Sequence, residues 1–159
     1  MLKKIFKKLD EWIVEENRRA LDEGLAPIQE TMVLVIGQTA LLEADLNIQI
    51  NATMDVDTYN ELTHRVRDKL NELLTSIHKS LDPEGHKAWM PEETQYQSIY
   101  KGQFVDAKIA EPVFIMLSKA KMAPTKNKQL LTDYLASEDC DDRIYDLADK
   151  YNVDLETIL

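Results

Sequence analysis

Val33-Leu-Val-Ile-Gly37-Gln38 and, shortly after it, Thr53-Met-Asp55-Val-Asp57 decide the reading of this chain. The first is an apolar run closed by a glycine, the pattern of a buried strand over 31–36 that turns sharply into a helix over 39–45. In the second, two aspartates flank one branched apolar residue. Side chains on a strand alternate faces, so a strand over 53–58 sends both carboxylates to one side and Val56 into the core. Two carboxylates held together repel and lose hydration, a cost that a cation offsets. Their hard oxygens suit Mg²⁺ or Mn²⁺, which take the rest of their shell from water and substrate phosphates. The glycine turn and helix start at Gly37, Gln38 and Thr39 offer free backbone N–H groups to such a phosphate.

Downstream, Thr58-x-x-Glu61 has the form of a capping box. Leu62, Val66, Leu70, Leu73, Leu74, Ile77 and Leu81 then recur at three- and four-residue steps. A long helix to about residue 80 is expected, stopped by Asp82-Pro83-Glu84-Gly85. His64 and His78 on it would lie about 20 Å apart along the axis, too far to share a metal. Residues 83–93, with His86, Trp89 and Pro91, have no period and read either as a flap or as a connection. Two alternating segments, near 95–100 and 103–109, flank Lys101-Gly102 and predict an antiparallel hairpin. On its second strand Val105, Ala107 and Ile109 form the apolar face, which leaves Asp106 on the other as a candidate third carboxylate. Phosphoryl or nucleotidyl transfer asks for such a group, to share a metal or to take a proton from the attacking hydroxyl.

From Glu111 the chain reads as helical, with Pro112 suited to a first turn and Val113, Met116, Leu117 and Ala120 on one face. Met116 and Met122 are expected as core fillers. Pro124 breaks this helix, and two more follow over 126–136 and 138–150, with Asp154 capping a terminal turn. Lys119, just after the hairpin, is placed to reach a phosphate. The opening segment puts Leu2, Ile5, Phe6, Leu9, Trp12 and Ile13 on one helical face and Lys3, Lys4, Lys7 and Lys8 largely on the other. Acids at 10, 11, 15 and 16 weaken any hold on an anionic membrane, so helix 2–23 is expected to pack on the domain, ended by Gly24 and Pro27.

The fold class expected is α+β: one domain of 159 residues, a small mixed or antiparallel sheet (31–36, 53–58, 95–100, 103–109) flanked by an N-terminal helix and a helical part over 111–159. A net charge of −10 argues against tight nonspecific binding to nucleic acid. The single Cys140 can form neither an internal disulfide nor a thiolate zinc cage, and with no apolar run of transmembrane length the expected setting is cytoplasmic, without a membrane partner. Residues 144–158 also read like the opening of a helix-turn-helix, but the acids there oppose a phosphate backbone.

Taken in order, Ile36-Gly37-Gln38-Thr39-Ala40, Thr53-Met54-Asp55-Val56-Asp57, Asp106 and Lys119 resemble the nucleotidyltransferase superfamily of the polymerase-beta type, and within it the minimal bacterial members. The resemblance covers about 31–159. It implies that Asp55, Asp57 and Asp106 hold Mg²⁺ (or Mn²⁺) and act in catalysis, that Gly37, Gln38 and Thr39 meet the phosphates, and that Lys119 steadies a nucleoside triphosphate. The implied reaction moves a nucleoside monophosphate to a hydroxyl on an RNA, a protein or a small molecule, with Asp106 as candidate base. Members of this layout include toxins of bacterial toxin–antitoxin pairs, which implies an antitoxin-like protein partner. Gln38 stands where the family usually has a second small residue, and Lys126-Asn-Lys128-Gln129 lacks the acid expected there. Both features fit an alternative: a degenerate member that binds a nucleotide or a partner without turnover.

Overall fold

The computed structural model describes residues 1–158. A 22-residue helix α1 (Leu2–Glu23) opens the chain and ends at Gly24, whose left-handed φ of 68° lets the backbone N–H return to the last carbonyls. Leu2, Ile5, Phe6, Leu9 and Ile13 are buried in the core, so the apolar stripe serves packing within the fold. Next come β1 (Thr31–Ile36), α2 (Gly37–Glu43), β2 (Asp55–Thr58), α3 (His64–Thr75), β3 (Ser80–Leu81), β4 (Tyr96–Lys101) and β5 (Val105–Ala110). Helices α4 (Pro112–Met122), α5 (Lys128–Ala136) and α6 (Arg143–Lys150) complete it. The chain is α+β. Its mixed five-stranded sheet runs β3-β2-β1-β5-β4, with β1 antiparallel to β2 and parallel to β5.

The alternation expected on the strands is present. Val33, Val35, Val56, Val105, Ala107 and Ile109 are all buried, and by register Met32, Ile36, Asp57 and Asp106 share the opposite face.

Several boundaries differ from the sequence reading, each for a physical reason. Thr58 does not cap a helix: it ends β2 opposite Val35 and is buried. Tyr59 N–H continues the pairing to the Leu34 carbonyl at 2.8 Å. The Asn60 side chain then accepts from Leu34 N–H at 2.9 Å and donates to the Met32 carbonyl, so the chain bends along β1 and α3 begins only at His64. At its other end α3 stops at Thr75, because Lys79 N–H turns back to the Leu74 carbonyl while His78 takes φ 62°. The chain thereby gains β3, a two-residue parallel strand on β2 that periodicity did not announce.

Residues 83–93 form a packed connection. Gly85 lies so close to β2 that a Cβ would sit 2.9 Å from Thr58 N, the Ser118 hydroxyl donates to the Trp89 carbonyl at 2.5 Å, and Trp89 meets Tyr151 edge-on at 5.1 Å. Helices α5 and α6 begin later than expected. Met116 is buried as foreseen, whereas Met122 is exposed. The end of the chain packs inward through Ile144, Ala148, Val153, Leu155 and Ile158, and Asp154 accepts from Glu156 and Thr157 N–H. Leu159 lies outside the described residues.

Candidate functional site

Strand β1 ends where the chain must turn, and the turn is possible because Gly37 takes φ +74°, a region that costs L-residues with a Cβ about 1–2 kcal/mol. A second demand falls on the same residue. Ile36 pairs with Asp57, and a Cβ on Gly37 would stand 2.5 Å from Asp57 Oδ2. The glycine therefore makes room for the carboxylate.

Asp57 is the electrostatic centre of this end of the sheet. Its Oδ1 is buried without a hydrogen-bond partner. Burial above all, then contact with the Asp82 carboxyl and the charges of Asp82 and Asp55, push its pKa up to about 6, with Lys119 opposing. Asp82 reaches this place through β3: Asp55 pairs with Ser80 and Val56 with Leu81, so the next residue falls beside Asp57. Asp82 N–H donates to the Val56 carbonyl at 2.9 Å, which anchors it there. Lys119, on α4, has its pKa lowered by burial and by nearby Lys126, partly offset by Asp57.

These groups open onto a cavity of about 600 Å³. Asp55, Asp57 and Asp82 line it from the sheet side, Lys119 and Lys126 from α4 and the turn after it, Gln129, Leu130 and Asp133 from α5, and the segment around Asn51 from a loop. Gln38 also lines it. Its amide donates to the Asn51 carbonyl at 3.0 Å, which pins the side chain to that loop. Thr39 is differently used: its buried hydroxyl donates to the Asp55 carbonyl at 2.7 Å, locking α2 to β2.

Of the residues expected from sequence, Asp55, Asp57, Gly37, Gln38 and Lys119 come together. Asp106 does not join them. It pairs with Met32, four residues up β1 from the Ile36–Asp57 pair, or about 13 Å along the strand. It also lies two strands across from Asp57. Continuing the register brings β5 level with Asp57 at Ala110, not at an acid. Asp106 instead lines a separate hollow with Met32 and Lys101, with Lys108 Nζ 4.0 Å from its Oδ2. The strand and its face were read correctly, but the register was not readable. The acid that stands against Asp57 is Asp82, which sequence reasoning took only as a helix stop; a signal for it would have been a strand pairing too short to show periodicity.

The donor set fits a hard divalent cation: two strand carboxylates on one face, one oxygen of them buried and unpartnered, beside an anion-sized cavity with lysines. Among the described residues no group of three or more His, Cys, Asp or Glu side chains closes into a ready-made coordination shell. Magnesium commonly needs only one or two carboxylates, with water and phosphate completing the octahedron. No helix among the described residues is long and apolar enough to cross a membrane.

The chain matches no family model, no curated protein and no solved structure.

Proposed function

We propose that the protein is a magnesium-dependent nucleotidyltransferase of the polymerase-beta type, which moves a nucleoside monophosphate from a triphosphate to an acceptor hydroxyl on an RNA, a protein or a small molecule. The observation that carries this reading is the Asp57 carboxylate, set into the space left by Gly37 with one oxygen unpartnered and with Asp55, Asp82 and Lys119 beside it. A surplus of carboxylate charge facing a lysine-lined cavity is poorly compensated alone; a divalent cation offsets the carboxylates, and the lysines offset the phosphates that come with it.

In this reading Asp55 and Asp57 hold Mg²⁺, and when bound it supplies charge neutralisation and alignment of the triphosphate. Lys119 and Lys126 take up phosphate charge. The acceptor oxygen bonds to the α-phosphorus, the bond to the bridging oxygen of the β-phosphate breaks, and pyrophosphate leaves. The acceptor proton passes to a carboxylate, a role for which Asp82 replaces Asp106, since Asp82 touches Asp57 and Asp106 is remote. Incubation with labelled triphosphates, Mg²⁺ and a cell extract as acceptor source tests the proposal. Label transfer that disappears in an Asp55→Asn, Asp57→Asn double variant supports it; transfer unchanged in that variant refutes it.

A second reading is favoured by the position of Asp106: a protein of this type that binds Mg²⁺–nucleotide, or a protein partner of antitoxin kind, without turnover. Its mark is a rise in melting temperature with nucleotide and Mg²⁺ but no product from any of the four triphosphates.

A further inference from the structure

We infer that the cavity selects guanine nucleotides and that Asp133 is the residue that reads the base; the inference rests on the nucleotide-binding reading above. Lys119 feels the charges of both Asp57 and Lys126, and all three line the cavity, with Lys119 on α4 and Lys126 in the turn that leads into α5. Lys126, Gln129, Leu130 and Asp133 all line the cavity; Gln129 and Leu130 each stand one helical turn before Asp133 on α5, and Lys126 lies in the turn that leads into it. Asp133 lies one turn, about 5–6 Å, beyond Gln129. With phosphates between the sheet carboxylates and the lysines, that turn is where a nucleoside comes to rest.

The chemistry of this face is selective. Leu130 is half-buried and offers apolar surface to the flat of a base. The Gln129 amide donates to Asp133 Oδ1 at 2.8 Å, which holds the carboxylate group in place while leaving it an acceptor. An ionised carboxylate accepts only. Guanine alone among the four bases presents two adjacent donors, N1–H and the 2-amino group, to such a fork. Adenine and cytosine present one amine next to a ring-nitrogen lone pair, and uracil one N–H between two carbonyls; each would set a lone pair against a carboxylate oxygen. Discrimination then comes from attraction and repulsion together.

The test is calorimetric titration of the full chain with Mg²⁺ and non-hydrolysable analogues of GTP, ATP, CTP, UTP and inosine triphosphate. The guanine analogue should bind about 10- to 100-fold more tightly than those of ATP, CTP and UTP, the ordinary worth of charge-assisted hydrogen bonds. Inosine, which lacks the 2-amino group, should fall between. Asp133→Asn should erase most of the guanine preference, raise ATP-analogue affinity because the new amide N–H meets the ring-nitrogen lone pair, and improve binding of xanthosine triphosphate, whose 2-oxo group accepts from that amide. Equal binding of all bases by the native chain, or a guanine preference untouched by Asp133→Asn, overturns the inference while nucleotide binding stands. Absence of binding to every analogue overturns both.

Discussion

Two aspartates at opposite ends of the sheet show how differently one side chain can be used. Asp10 on α1 is buried, and its oxygens accept from the backbone N–H groups of Gln103, Phe104 and Val105 and from the Tyr100 hydroxyl, at 2.7–3.3 Å. It closes the β4–β5 turn, and Gly102 is its counterpart, since a Cβ there would lie 2.4 Å from Asp10 Oδ2. Asp57 also sits against a glycine, yet among the described residues its buried Oδ1 has no partner, and the side chain faces Asp55 and Asp82. A satisfied carboxylate stabilises the fold. An unsatisfied one beside other acids is kept at a cost, which the proposed cation would offset. Asp106 stands between these cases, with one buried unpartnered oxygen but Lys108 within reach and Lys101 lining the same hollow alongside Glu30.

The contrast is broken most sharply by removing charge at each place. Asp57→Asn should lower magnesium-dependent nucleotide transfer by about 10²–10³-fold, the usual loss when a group that stabilises the transition state is removed, while Asp106→Asn should stay within about twofold of the native rate. Single-turnover rates with labelled triphosphate decide it. Asp10→Ala leaves three backbone N–H groups of the hairpin turn without their acceptor and should cost about 3 kcal/mol of stability, read as a lower urea midpoint. Transfer per folded molecule should be little changed, because the Asp10 turn lies at the far end of the sheet.

Gly37→Ala should cost about 1–2 kcal/mol for the left-handed backbone and also displace the Asp57 carboxylate. Weaker magnesium dependence should therefore accompany a lower melting temperature. Gly24→Ala, at φ +68° with open space around the added carbon, should show only the stability loss.

A pH dependence separates the two aspartates further. The folded state holds the Asp57 proton more tightly than an unfolded chain does, with a pKa near 6 against an ordinary 3.8. This group therefore favours folding as the pH falls from above 6 toward 4, and opposes it once ionised above 6. Native stability relative to Asp57→Asn should rise across that window on acidification, measured by urea midpoints at fixed ionic strength.

Most of the architecture was legible because it rests on periodicity: the apolar stripe of α1, the alternation on β1 and β5, the glycine turn at Gly37, the hairpin at Gly102. What escaped depends on partners distant in sequence. Thr58 looks like a cap until Val35 pairs with it, Asp82 looks like a helix stop until β3 docks on β2, and Asp106 looks like a site residue until register sets it opposite Met32. Asp10 could have been noticed, since an acid four residues after Phe6 and three before Ile13 falls on the buried face of α1. Within the cavity, Asp55 and Asp57 were readable from their spacing alone, whereas the contribution of α5 required the tertiary fold.

Titration of Mg²⁺ into the protein with a saturating non-hydrolysable guanosine triphosphate analogue tests the central claim most directly. Magnesium should bind in the native chain and in Asp106→Asn and be lost in Asp57→Asn. Magnesium binding kept in Asp57→Asn, or lost in Asp106→Asn, would contradict the account.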